Sequence, residues 1–259
     1  MNNKDSIVEP DNAGDALPDV VGDVLPDVVG DARRAMDVLK AGGIAILPMD
    51  VGYSLIGGSN DSLEKIFETK KRVPSKLNAM VADNEIHRDV HLLDQRGFDI
   101  VQAITEDYDL PIGAIAPVRL DHPLLKSFDS RALERSSKDG TIVMLLNAGP
   151  FHAEICRLSR DEVHPLFGSS ANVSMTGTKF RVEDMEPEIR DIADIIIDHG
   201  LCKYHLYKAS STLLNVQTLE VVRHGSCFEL IADILKRHFG VDLPPPPDGY
   251  INDLIGDRL

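Results

Sequence analysis

The first strongly patterned stretch of the chain is the apolar run Ile44-Ala45-Ile46-Leu47, bounded by Gly42-Gly43 on one side and Pro48 on the other. A short apolar run between such breakers predicts a buried strand. Ahead of it, apolar positions at helical spacing over 33–39 predict an amphipathic helix that the two glycines stop. After Asp50, Leu63, Ile66 and Phe67 share one face of a helix that Ser62 is expected to cap, with Lys70 and Arg72 falling at its C-terminal end. Further patterning predicts strands at 77–81, 112–118, 141–146, 193–197, 211–216 and 219–222, and helices at 97–105, 152–158, 182–192 and 228–239. Strands and helices alternate without strict βαβ regularity, and some neighbouring strands have short links such as 215–218. This predicts one α/β domain with a mixed sheet over residues 32–240.

The two ends read differently. GDALPDVV at 14–21 is followed by GDVLPDVV at 22–29 and then Gly30-Asp31, with Pro18 and Pro26 interrupting any helix. Residues 1–31 hold eight acidic groups against Lys4, which is -7 of the chain's formal net charge of -15. Two copies of eight residues cannot stack as a solenoid, and so acidic a segment is expected to stay a disordered, solvated arm. Four consecutive prolines, Pro244 to Pro247, mark 241–259 as a proline-rich tail.

Composition narrows the class. With 259 residues, 43% hydrophobic and 27% charged, the chain can bury a sizeable core. Apolar runs stay well short of a membrane span, and the N-terminus lacks the charged and apolar regions of a secretory or transit signal, so a cytoplasmic protein is expected. Cys156, Cys202 and Cys227 have no CxxC spacing and no histidine at ligand spacing; reduced structural thiols and no protein-bound metal are expected.

Against this acidic background, Lys70-Lys71-Arg72 with Lys76 places four cations in seven residues. About a hundred residues later, Ser169-Ser170-Ala171-Asn172 offers hydroxyl and amide donors. Taken singly, cations in a last helical turn complement the helix dipole, and a Ser/Asn-rich stretch is ordinary turn composition. Lining one groove together, they suit a polyanion such as a nucleoside triphosphate. With no tryptophan and five scattered tyrosines, there is no stacking platform for single-stranded nucleic acid.

Residues 42–50 (GGIAILPMD), Tyr53, 66–72 (IFETKKR), Ser170-Ala171-Asn172, Ser211-Thr212 and Arg223-His224-Gly225 follow one another in the order seen in the YrdC/YciO family, which the chain resembles over nearly the whole domain. The resemblance implies a twisted α/β sheet folded around a large basic cavity. It also implies a threonylcarbamoyl-adenylate synthase that consumes ATP, bicarbonate and L-threonine and feeds threonylcarbamoyladenosine modification of tRNA through a downstream transferase. Mg²⁺ would arrive with the triphosphate. Some relatives are associated with double-stranded RNA, others make carbamoyl-adenylate. By resemblance, Lys70, Arg72, Ser170 and Asn172 are the catalytic set, and Arg72, Lys76, Thr141, Ser170, Thr178 and Arg223 hold the nucleotide. Val51, Tyr53, Val81, Leu145 and Ser211 would line the second-substrate pocket.

Three of those pocket positions depart from the family, where a threonine, a histidine and an arginine usually stand in place of Val51, Val81 and Leu145. The polar groups that would recognise threonine are apolar here. Three readings follow: a synthase with a rebuilt pocket, an enzyme adenylating another carboxylate or carbamate, or a non-catalytic module that binds nucleotide or RNA.

Overall fold

The computed structural model describes residues 25–72 and 76–247; the first octapeptide at 14–21 and the last part of the tail, 248–259, lie outside them. Helix α1 (Val28–Lys40) starts five residues ahead of the expected 33. Its N-cap is Asp27 of the second octapeptide, whose carboxylate accepts the Gly30 amide at 3.0 Å. The expected boundary at 31/32 therefore falls inside a helix. Strands β1 (Ile44–Leu47) and β2 (Ser54–Gly57) follow and are buried at every position.

Helix α2 (Asn60–Thr69) is capped by Ser59, not Ser62. Ser62 sits at the third helical position and closes a reciprocal box: Ser59 Oγ accepts the Ser62 amide at 3.2 Å, and Ser62 Oγ accepts the Ser59 amide at 2.9 Å. Ser59→Ala is expected to cost about 1 kcal/mol, a fall of about 2–4 °C in the thermal midpoint for a chain of this size. An unchanged melting curve would contradict the cap.

The chain continues through β3 (Ala79–Val81), α3 (Asn84–Val90) and α4 (Gln95–Gln102), the last extended by a π-helical turn over Ala103–Asp107. Then come β4 (Ile112–Pro117), α5 (Pro123–Lys126), α6 (Ser130–Glu134), β5 (Ser137–Lys138), β6 (Thr141–Leu146), α7 (Pro150–Asp161) and β7 (Leu166–Ser170). Helix α8 (Pro187–Asp191), β8 (Ile195–Ile196), β9 (Leu213–Asn215), β10 (Val221–Arg223) and α9 (Phe228–Phe239) complete it.

The strands form one mixed sheet in the order β10-β9-β4-β6-β3-β7-β2-β1-β8, with β5 paired to β6. Alternation along the strands separates two faces. Ile44, Ile46, Leu55, Met80, Met144 and Phe167 point to one, where Leu63 and Ile66 of α2, Ile100 of α4 and Ile231 and Leu235 of α9 complete the larger core. Ala45, Leu47, Ile56 and Leu166 point to the other, covered by Ala35, Met36 and Leu39 of α1 and Ile155 of α7. Glu162 ties these two helices together through Arg33 and Lys40. Their cover reaches Val81 of β3 and Leu145 of β6, whereas Ala79, Val143 and Leu213 on the same face of β3, β6 and β9 are only half-buried. A groove over the middle of the sheet results. Among the described residues, no helix is long and apolar enough to cross a membrane.

Candidate functional site

Strand register fixes what lines this groove. Ser170 pairs with Ser54, Gly168 with Ala79, Val81 with Leu145, Leu145 with Gly113, and Gly113 with Leu213. A Cβ on Gly168 would lie 2.1 Å from the Leu55 carbonyl oxygen, and one on Gly113 would lie 2.2 Å from Leu213 Cδ2. Gly168 is required by the backbone of β2, whereas at Gly113 the obstacle is the movable end of the Leu213 side chain. Hydroxyls edge the groove at Ser54, Ser170 and Thr141.

At the Ser170 end the cations do four different things. Lys70, the C-cap of α2, is 3% exposed, and its ammonium donates to the carbonyls of Ser170 and, at 2.5 Å, Asn172. The Lys70 carbonyl in return accepts the Ser174 amide at 3.0 Å, so the lysine clamps the turn after β7 from both directions. Burial, aided by the charge of Arg72, pushes its amine down to about 7. Lys71, at φ 51°, faces outward with Glu188 3.9 Å away. Arg72 donates to Asn78 Oδ1 at 2.8 Å and to the Leu77 carbonyl at the entry to β3; burial lowers its guanidinium to about 10, still charged at neutral pH. Lys76 is exposed, 3.6 Å from Met175 Sδ. Within the clamped turn, Ser170 Oγ donates to Asn172 Oδ1 and Asn172 Nδ2 to the Val173 carbonyl at 2.5 Å.

The remaining residues expected to hold nucleotide are spread out. Thr141 lies on the groove face at the Ser170 end, its hydroxyl donating to the Lys138 carbonyl at 2.7 Å. Thr178 packs on Gly52, whose φ of 113° and missing Cβ let the threonine methyl approach. Arg223 and Ser211 stand at the opposite corner, the guanidinium donating to the Ser211 carbonyl at 2.7 Å. Ser211, just ahead of β9, lies four strand spacings, roughly 19 Å, across the sheet from Ser170, and Arg223 of β10 lies five.

The structure brings Val51, Val81 and Leu145 together, but as core. They are 2%, 2% and 9% exposed and share one apolar cluster with Met49, Ala148 and Phe151. Tyr53 is fully buried, its hydroxyl donating to Asp198 Oδ1 or the Gly200 carbonyl, both at 2.8 Å; it braces that loop and offers no surface to a ligand. Lys70 is engaged by carbonyls, and two clefts of about 310 and 280 Å³ lie away from it, beside Tyr108 and His238 and beside Asp83 and Glu106.

Sequence reading singled out neither Ser54, Asn78 nor Lys203, and took Asp50 only as part of the 42–50 motif. Ser54 meets Ser170 only through β2–β7 pairing, and Asn78 was absorbed into a predicted strand. Lys203 reaches 3.7 Å from Asp50 Oδ2 across 153 positions, which no local pattern could signal.

The profile of the Sua5/yciO/yrdC family, described as telomere recombination, matches residues 37–225. A substituted form of P. abyssi Sua5 superimposes with a TM-score of 0.65 at 16% identity, over 85% of this chain and 63% of that one. The present chain thus spans less than two thirds of that protein. P. abyssi Sua5 complexed with L-threonine gives 0.62 at 16% identity, over 83% and 59% of the two chains. E. coli YciO gives 0.58 at 18% identity, over 77% and 91%. At these identities the likeness is one of fold.

Proposed function

Since the chain belongs to the Sua5/YciO/YrdC family, we propose that it is an adenylating enzyme that takes ATP across the groove and joins AMP to a carbamate made from bicarbonate and an amino acid. A carbamate oxygen attacks the α-phosphorus, the bond to the β-phosphate oxygen breaks, and pyrophosphate leaves with its Mg²⁺. Negative charge grows on the non-bridging oxygens and the leaving group, so prepositioned donors supply most of the rate. Arg72, charged at neutral pH, and the Ser170–Asn172 turn are the donors in this reading, with Lys70 holding the turn. L-Threonine is the amino acid in one P. abyssi Sua5 complex. Threonylcarbamoyl-adenylate synthesis for tRNA modification, in the cytoplasm, is the finer role this reading carries.

The observation that supports it most is the turn after β7, clamped by Lys70 close to Arg72. Its test is pyrophosphate release by the full chain with ATP, Mg²⁺, bicarbonate and an amino acid. Arg72→Ala is expected to reduce the rate about tenfold to a hundredfold, the worth of a hydrogen bond to a charged group. ATP binding with no amino-acid-dependent release would leave a nucleotide-binding module and remove the enzyme.

A further inference from the structure

β3 and β6 are parallel neighbours, with Met80 opposite Met144 and Val81 opposite Leu145. Their carboxyl ends lead into helices on opposite faces of the sheet: α3 packs Ile86 and Val90 into the larger core, and α7 packs Ile155 and Cys156 into the other. The chain parts between the two strand ends, and such a switch point opens the kind of crevice in which α/β sheets take ligands. A cleft of about 280 Å³ lies there, lined by Asp83, Asn84 and Glu85 at the start of α3 and by Asn147, His152 and Ala153 around the start of α7. The whole length of β6 separates it from Thr141, so it is distinct from the phosphate end of the groove.

The charged groups of the cleft are already matched. Arg160 of α7 holds Asp83 and lies 3.2 Å from Glu85 Oε2, and Arg88 donates to Glu106 Oε1 at 2.7 Å. A charged ligand would have to displace one of these pairs. The uncharged groups are not used up. Asn147 spends its amide hydrogens on the Thr105 carbonyl at 3.0 Å and Asp109 Oδ1 at 2.9 Å, which leaves its Oδ1 as an acceptor. Asn84 Oδ1 lies 3.1 Å from the Thr105 hydroxyl, which leaves the amide nitrogen as a donor. His152, 1% exposed, forms the inner wall. Its Nε2 hydrogen goes to the Leu145 carbonyl at 3.0 Å, so Nδ1 carries the lone pair, and among the described residues that atom meets only the Cys156 sulfur, 3.9 Å away. Burial lowers the ring to about 4, so it is neutral and accepting at neutral pH.

We propose that this crevice is a second ligand site, built for the vicinal hydroxyls of one sugar ring, either a free sugar or the ribose of a nucleoside. Each hydroxyl both donates and accepts, which suits acceptors at Asn147 and His152 beside a donor at Asn84. The carboxylates of Glu85 and Glu106 keep lone pairs for a further hydroxyl. Its volume is at the small end of ligand pockets, room for one ring and not for a triphosphate. The site stands apart from the adenylation reading and does not depend on it.

The test is NMR titration of the full chain, without ATP, with D-ribose, D-glucose and adenosine, and with putrescine as a cationic control, following the His152 ring nitrogens. A saturable shift of Nδ1 is expected, with a dissociation constant of about 1 mM or tighter. Ala153→Phe, at an exposed position of α7, fills the cleft without removing a polar group. It should weaken binding about tenfold or more while the thermal midpoint stays within about 2 °C. A response to the free sugars and not to adenosine upholds the site as one for free sugar. A response to adenosine and not to 2′,3′-dideoxyadenosine, which lacks the vicinal pair, upholds it as one for nucleoside ribose. No saturable shift with any of the three, a shift that Ala153→Phe leaves unchanged, or tighter binding of putrescine than of any of them overturns the inference.

Discussion

Between pH 7 and pH 4 the unfolding free energy of this protein is expected to fall by about 3 kcal/mol or more, because three buried imidazoles are held neutral in the fold. His152 is 1% exposed, with its Nε2 3.0 Å from the Leu145 carbonyl, and burial lowers it to about 4. A histidine whose folded pKa lies below the ordinary 6.5 contributes stability above 6.5. That contribution is lost as the pH falls, since the unfolded chain takes up a proton that the native state refuses. From 6.5 to about 4, His152 alone accounts for about 3 kcal/mol. His87 and His91 act in the same direction. Their Nδ1 atoms lie 2.8 Å apart, so a single proton bridges the pair, and burial together with the neighbouring charges of Arg88 and of His87 itself depresses both. His87 Nε2 has no hydrogen-bond partner among the described residues. Urea titrations at pH 7, 5.5 and 4 measure the effect. His152→Gln, which keeps a donor for the Leu145 carbonyl, should remove about 3 kcal/mol of the fall. Stability that stays level down to pH 4.5 would mean these rings reach water.

What was legible in the sequence divides along physical lines. β1, β6 and α9 are found where the apolar runs at 44–47 and 141–146 and the amphipathic spacing at 228–239 predict them, because β1 is buried throughout, β6 at four of its six positions, and α9 along one face. β2 and β7 were missed. Gly168-Ser169-Ser170 has turn composition, yet it is the end of a strand paired on both sides, where the absence of a Cβ at Gly168 lets β2 approach. At the other end of the domain, Pro26-Asp27 was assigned to a solvated arm, though the same residues start α1: an Asp at N-cap outweighs the acidic composition around it. The candidate site shows the same split. Its residue types were readable, but the partner of each cation depends on long-range register. Lys70 reads as a phosphate ligand in a helix-end cluster and is found bonded to carbonyls a hundred residues away.

Replacing Lys70 with methionine is accordingly expected to lower pyrophosphate release by roughly 10²–10³-fold while the protein stays folded. Methionine keeps the apolar stem but removes the ammonium on which the carbonyls of Ser170 and Asn172 depend. Each buried acceptor left without a donor costs on the order of 1–3 kcal/mol, and the turn relieves that cost by moving. A displacement of about 1 Å at the groups proposed to meet the α-phosphate suffices for a loss of about 10²-fold. The same substitution separates a clamp from a mere stabilising contact through its pH dependence. Burial lowers the folded Lys70 to about 7, against 10.5 for an ordinary lysine, so between those values the unfolded chain holds a proton that the native state does not. Stability owed to Lys70 therefore rises from pH 7 toward pH 10, and Lys70→Met should lack that rise. A triphosphate arriving beside the turn favours the charged amine, so ATP binding at pH 8 should take up close to one proton in the native protein and none in the variant. Titrations in two buffers of different ionisation enthalpy measure that uptake. Release within threefold of the native rate, or equal proton uptake by both proteins, would mean that Lys70 does not hold the turn in its working position.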